Sequence, residues 1–147
     1  MTTGYSGTPL AKKLGFRPNH VVVTINRPAE YLRLFSEVPE GLILMEFPQF
    51  LDWDGDRHAR PKPDIVHLFT NDRSELFEAL ARLRGSIKQD GAIWVSWYKK
   101  AAKLPTEITE DIIRDAALPL GLVDVKVCAV DEKWSGLKLV IRKENRI

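Results

Sequence analysis

The hydrophobic positions of the chain fall into two periods. Residues 20–25, "HVVVTI", form an almost unbroken β-branched run, the mark of a strand covered on both faces. The runs "LILMEF" (42–47), "DIVHLF" (64–69) and "AIWVSWY" (92–98) predict three more buried strands. Between them apolar residues recur at helical spacing. Leu10 and Leu14 share a face of a short helix, with Thr8 as N-cap, Pro9 at its first position and Gly15 at its end. Pro28 opens a second short helix over "PAEYLRLF" (28–35). Asp72 and Glu75 make a capping pair before Leu76, Leu80, Leu83 and Ile87, and Gly85 weakens that helix late. Ile108, Ile112, Ile113, Ala116 and Ala117 form the stripe of another helix, stopped by Pro119 and Gly121. In "LVDVKVCAV" (122–130), Val123, Val125 and Val127 alternate with Asp124, Lys126 and Cys128, as on a strand near a sheet edge. A hairpin-like "DEKWSG" joins it to "LKLVIR" (137–142).

The predicted order is αβαβ, a long loop, then βαβαββ. Strands alternating with helices imply a mainly parallel sheet with helices on both faces, and the closing hairpin makes the last strand antiparallel. The expected fold class is α/β, a Rossmann-like mixed sheet in a single domain over residues 1–147, with an N-terminal arm at 1–8. Residues 48–63 are long for a plain connection and read as a functional loop or a hidden edge strand. Trp53, in that loop, is expected to be exposed and hints at a contact surface.

A length of 147 residues suits one sizeable core, and 44% hydrophobic with 29% charged residues is ordinary globular composition. The net charge of +2 does not call for a nucleic-acid partner. No apolar run approaches the ~20 residues a bilayer requires. "MTTGYSGTPLAKK" has no apolar h-region, so no secretory signal is expected. The lone Cys128 excludes an internal disulfide and fits a reducing compartment, so a cytoplasmic location is expected.

The ending of helix, strand, turn and strand resembles that of class I S-adenosylmethionine-dependent methyltransferases. "KPDIVHLFTN" is similar to their fourth strand and "SIKQDGAIWVSW" to their fifth. The strings "GYSGTPLAKKLG", "WVSWYKK" and "GLVDVKVCAVDEKWSGLKLVIRK" together resemble a family of short bacterial proteins of unknown function, from Gly4 to about Arg146. The first resemblance implies a methyltransferase-like fold. The second brings no activity with it.

A nucleotide-binding α/β domain has glycines after its first strand, because a ligand must approach the backbone N–H groups there. Here that turn is Asn26-Arg27-Pro28, with no glycine between Gly15 and Gly41, and Pro28 has no N–H. Glu46 does match the acidic residue that meets a ribose about twenty residues further on; its alternative is a solvated strand-end charge. Ligands in open α/β sheets bind beyond the carboxyl ends of the strands. The topology brings Asn26, Arg27, Thr70, Asn71, Lys99, Lys100, Asp131, Glu132, Trp134 and Ser135 to that edge. Arg27, Lys99 and Lys100 suit an anion such as a phosphate or carboxylate. Asp131 and Glu132 would meet a cation or pair with the lysines.

"WVSWYKK" mixes aromatic and basic residues as some single-strand binders do. Alternation puts Trp94, Ser96 and Tyr98 on one face and Val95 and Trp97 on the other, so the rings are expected in the core. Tyr5, Ser6 and Thr8 precede a helix N-terminus, with Gly4 and Gly7 between. They read as a structured arm that closes over the strand ends or docks on a partner, or as a cap with a flexible arm. Asp52, Asp54, Asp56 and His58 invite a metal reading, but the glycine and glutamate positions of a calcium loop are absent. His67 is expected to be a buried, hydrogen-bonded histidine and Cys128 an inert buried thiol. No nucleophile elbow or zinc spacing is present. The expected role is non-catalytic: binding a protein partner or a small anionic ligand, without a cofactor, in a bacterial cytoplasm. The alternative is a divergent methyltransferase using Glu46 and the strand-end cluster.

Overall fold

The computed structural model describes residues 9–53 and 61–147. Six strands, β1 (Val21–Ile25), β2 (Ile43–Phe47), β3 (Ile65–Phe69), β4 (Ala92–Tyr98), β5 (Leu122–Ala129) and β6 (Trp134–Ile141), form one sheet. Their order is β2-β1-β3-β4-β6-β5. β1 pairs in parallel with β2 and β3, and β3 with β4. β6 is antiparallel to both β4 and β5. The mixed sheet with its antiparallel closing hairpin is therefore the one the pattern predicts. From β1 the chain goes outward to β2, then crosses back to β3 on the other side. The switch in direction opens between the ends of β1 and β3.

Helices α2 (Arg73–Leu83) and α3 (Glu110–Ala117) cover one face of the sheet. Val23, Ile25, Val66, Leu68, Ile93, Val95 and Trp97 meet Leu76, Leu80, Leu83 and Ile113 there. Asp72 caps α2 by accepting from the N–H groups of Ser74 and Glu75, and Thr109 caps α3 by accepting from Ile112. The other face is covered by α1 (Leu10–Lys13) and a 3-10 turn at Tyr31–Leu34. There Trp94 is buried and its indole N–H donates to Leu14 O at 2.9 Å.

Three expectations change. β2 is not a buried strand: among the described residues it is one of the sheet's two edge strands, and Ile43 is 50% exposed. A continuous apolar run reports hydrophobicity, and burial on both faces also needs a neighbour beyond it. Trp53 is buried, not exposed: it stacks on Phe50, with the Arg82 guanidinium 5.3 Å from its ring. The helix expected over 28–35 is one turn of 3-10 geometry, which forms i→i+3 bonds where too few residues exist for an α-helix. The long connection holds a 3-10 turn at Phe50–Asp52 and no strand among the described residues. α1 starts one residue later than expected, with Pro9 and not Thr8 in the cap position; Thr8 itself, the arm at 1–8, and Asp54, Asp56 and His58 lie outside the described residues. Among those described, no cluster of His, Cys, Asp or Glu could hold a metal, and no helix is long and apolar enough to cross a membrane.

Candidate functional site

Asn26 follows β1 at the switch point. Its φ is +60°, in the left-handed region that asparagine tolerates better than most residues. This turns its side chain into the crevice between β1 and β3. The amide nitrogen donates to Phe69 O at 2.9 Å and to Glu75 Oε1 at 3.0 Å. The amide oxygen accepts from Phe50 N at 3.0 Å, and the backbone N–H donates to Phe47 O at 3.1 Å. One residue thus ties β1 to β2, β3, the first turn of α2 and the 3-10 turn beyond β2. The glycines of nucleotide-binding folds leave this space open; here a saturated amide fills it.

The neighbouring position is also taken. Arg27 Nε lies 3.1 Å from Glu46 Oε2, its Nη1 donates to Thr24 Oγ1 at 3.4 Å, and its guanidinium sits over the Tyr31 ring at 5.6 Å. Glu46, the strand-end carboxylate that the sequence suggested for a ribose, is therefore paired with Arg27. The residues present do not fit S-adenosylmethionine in the pose usual for this fold. Seating its adenosine there would compete with the part-buried Asn26 bonds and with the Arg27–Glu46 pair.

Thr70, Asn71, Asp131 and Trp134 each make contacts within the fold. Thr70 is buried, its N–H donates to Ser96 O, and its hydroxyl accepts from Asp72 N at 3.2 Å. Asn71 Oδ1 accepts from Tyr98 N at 2.8 Å and fixes the end of β4. Asp131 Oδ1 accepts from the N–H groups of Lys133 and Trp134, both at 2.8 Å, which sets the β5–β6 turn. Trp134 is buried edge-on to Phe69, with ring centroids 4.9 Å apart. Glu132 is exposed, and among the described residues neither it nor Asp131 pairs with Lys99 or Lys100.

Lys99 and Lys100 border an open cleft of about 830 Å³ between the end of β4 and the start of α3. Trp97, Leu104 and Ile108 give it apolar surface, and Ser135 and Thr109 add hydroxyls. Glu110 and Asp111 line it too, but both bond to Arg114, at 3.0 and 3.1 Å. Arg114 also binds Asp124, and these carboxylates, Asp124 first, hold its guanidinium above the ordinary range. Its acids are thus held, while the ammonium groups of Lys99 and Lys100 have no carboxylate partner among the described residues. The predicted residues therefore separate. Asn26, Arg27 and Glu46 close the switch point, whereas Lys99 and Lys100 face this cleft. Sequence reasoning missed the α3 wall; the signal available was Thr109 as a cap with Glu110 and Asp111 after it.

One arrangement superficially resembles a catalytic relay. Tyr31 Oη lies 3.0 Å from His67 Nδ1, and His67 Nε2 lies 2.7 Å from Ser96 Oγ. All three are fully buried, so the serine meets no substrate. Burial lowers the His67 pKa to about 3 and raises that of Tyr31. A neutral imidazole between two hydroxyls satisfies both ring nitrogens, as the sequence predicts for a structural histidine. Cys128 is half-buried, and burial raises its thiol pKa, which suits an unreactive role.

Solved structures share this fold. A possible exported protein from Bordetella parapertussis superposes with a TM-score of 0.62 at 12% identity, covering 90% of this chain and 66% of its own. A SAM dependent methyltransferase from Aquifex aeolicus gives 0.62 at 13% identity, covering 88% and 87%. A ribosomal protein L11 methylase from Lactobacillus delbrueckii subsp. bulgaricus gives 0.56 at 13%, covering 90% and 75%. At these identities the likeness shows a methyltransferase-like, Rossmann-like fold and nothing of the activity. No curated protein matches the sequence. Residues 49–143 match the family model described as "Protein of unknown function (DUF3052)", and the chain belongs to that family.

Proposed function

We propose that this protein is a non-catalytic methyltransferase-like domain that binds a small organic anion in the cleft beside Lys99 and Lys100. The observation that carries this reading is the Asn26 side chain, bonded to β3, α2 and the Phe50 turn across the switch point. A cleft that combines apolar surface with cations lacking a carboxylate partner among the described residues lies between β4 and α3. An aromatic or aliphatic carboxylate matches it: the charge meets the two ammonium groups and the body covers Trp97 and Leu104. An acidic segment of a protein partner would present the same chemistry. The lone cysteine fits a reducing cytoplasm.

Thermal shift with S-adenosylmethionine, S-adenosylhomocysteine and a panel of organic anions tests the reading. A ligand at a hundred times its Kd adds ~2.7 kcal/mol and is readily seen. The expected result is no shift with either adenosyl compound, and a shift with an organic anion that Lys99→Ala/Lys100→Ala removes. Stabilisation by S-adenosylhomocysteine that is lost in Glu46→Gln would instead support the divergent methyltransferase.

A further inference from the structure

The opposite face of the sheet carries a second group of cations, independent of the cleft. Lys126 on β5 and Lys138 on β6 are direct cross-strand partners. Lys138 is also paired with Trp94, so its side chain stands on the α1 face. Like charges directly opposite one another destabilise a ladder. Both side chains nevertheless run to the same place, the C-terminal end of α1. Lys126 Nζ donates to Lys13 O at 3.1 Å, and a Cβ on Gly15 would lie 3.8 Å from Lys138 Nζ. Lys13 and Arg17 flank the same corner in sequence.

Capping α1 does not account for this concentration. The Leu14 carbonyl is taken by the Trp94 indole and the Lys13 carbonyl by Lys126. Lys138 is surplus to that task. It is half-buried, and among the described residues neither it, Lys126 nor Arg17 has a carboxylate partner. Burial first, and then the charges of Lys126 and Arg17, hold its pKa below that of a free lysine. An ammonium partly withdrawn from water and facing like charges costs free energy unless an anion joins it.

We propose that Lys126, Lys138 and Arg17 form a binding site for a phosphate-class oxyanion, free or as a small monoester, at the junction of α1 with the β5–β6 hairpin. A tetrahedral oxyanion offers an acceptor to each of the three cations, and lysine binds phosphate as a point charge.

The test is thermal unfolding in orthophosphate and in glycerol 3-phosphate, with ionic strength held constant by chloride. The wild type is expected to show a saturable Tm rise of about 3–5 °C at ten times Kd. Lys138→Met is expected to raise Tm without phosphate, because it relieves the like-charge pair, and to lose the phosphate response. Lys99→Ala/Lys100→Ala retains that response, which separates this site from the cleft. A larger rise with glycerol 3-phosphate identifies a monoester as the ligand, and a larger rise with orthophosphate identifies the free anion. No rise beyond chloride in the wild type, or a full rise in Lys138→Met, overturns the proposal.

Discussion

Asn26 does two jobs that substitution can separate. Its backbone sits at φ +60°, and its side chain makes three bonds to Phe69, Glu75 and Phe50. Asn26→Gly keeps the backbone freedom and loses the bonds, a cost of about 1.5–4.5 kcal/mol at 0.5–1.5 each. Asn26→Ala loses the same bonds and also forces a Cβ into the left-handed region, about 1–2 kcal/mol more. Urea unfolding of both variants checks the order; equal losses would show that the turn relaxes. His67 gives a pH signature. Its folded pKa is about 3, below the ordinary 6.5, so as pH falls the unfolded chain takes up the proton first. Its contribution to stability is whole above pH 6.5 and falls by about 1.4 kcal/mol per unit down to about pH 3. Carboxylates titrate mostly below pH 5, so the loss between pH 7 and 5 reports on histidines, and the variant assigns it to His67. His67→Gln should show a clearly smaller loss over that interval in urea midpoints; an unchanged loss would assign it elsewhere.

Among the elements, α2 shows how far a local signal reaches. Asp72 was legible as its cap and accepts from Ser74 N at 2.9 Å and Glu75 N at 3.3 Å. Asp72→Ala should cost about 1 kcal/mol and Asp72→Ser much less, read from the denaturant midpoint. Glu75, legible as the second half of the capping pair, instead accepts from Asn26, and Thr70 Oγ1 serves the Asp72 N–H. Periodicity and capping depend on neighbours within a few residues, so the strands, α2 and α3 were readable. What escaped depends on distant partners. Trp53 was misread because Arg82, which covers it, lies on another element. β2 was misread because an apolar run cannot say whether a further strand follows. At the site, the lack of glycine after Ile25 was plain, but the amide that fills the gap was not. Its bonds go to Phe69 and Glu75, 43 and 49 residues away.

The molecule as a whole has two unlike edges. β5 is guarded by a bulge between Asp124 and Lys126 and by the Lys126 charge, devices that discourage a further strand. β2 has neither; Ile43 stands half-exposed, and among the described residues no strand lies beyond it. Ile43 N donates to His20 O, so in the parallel ladder the N–H groups of Ile43, Met45 and Phe47 point toward β1. Those of Leu44 and Glu46 therefore point outward. Amide hydrogen exchange should show this alternation directly. β3 and β4, buried along their length and paired on both sides, should exchange only through global unfolding. Leu44 and Glu46 should exchange far faster than their neighbours in β2 at every protein concentration. Protection of these two amides that rises with concentration would mean that the edge is completed by a second copy pairing along β2. Protection at all concentrations would mean that another part of the same chain covers it, and the open edge would have to be abandoned.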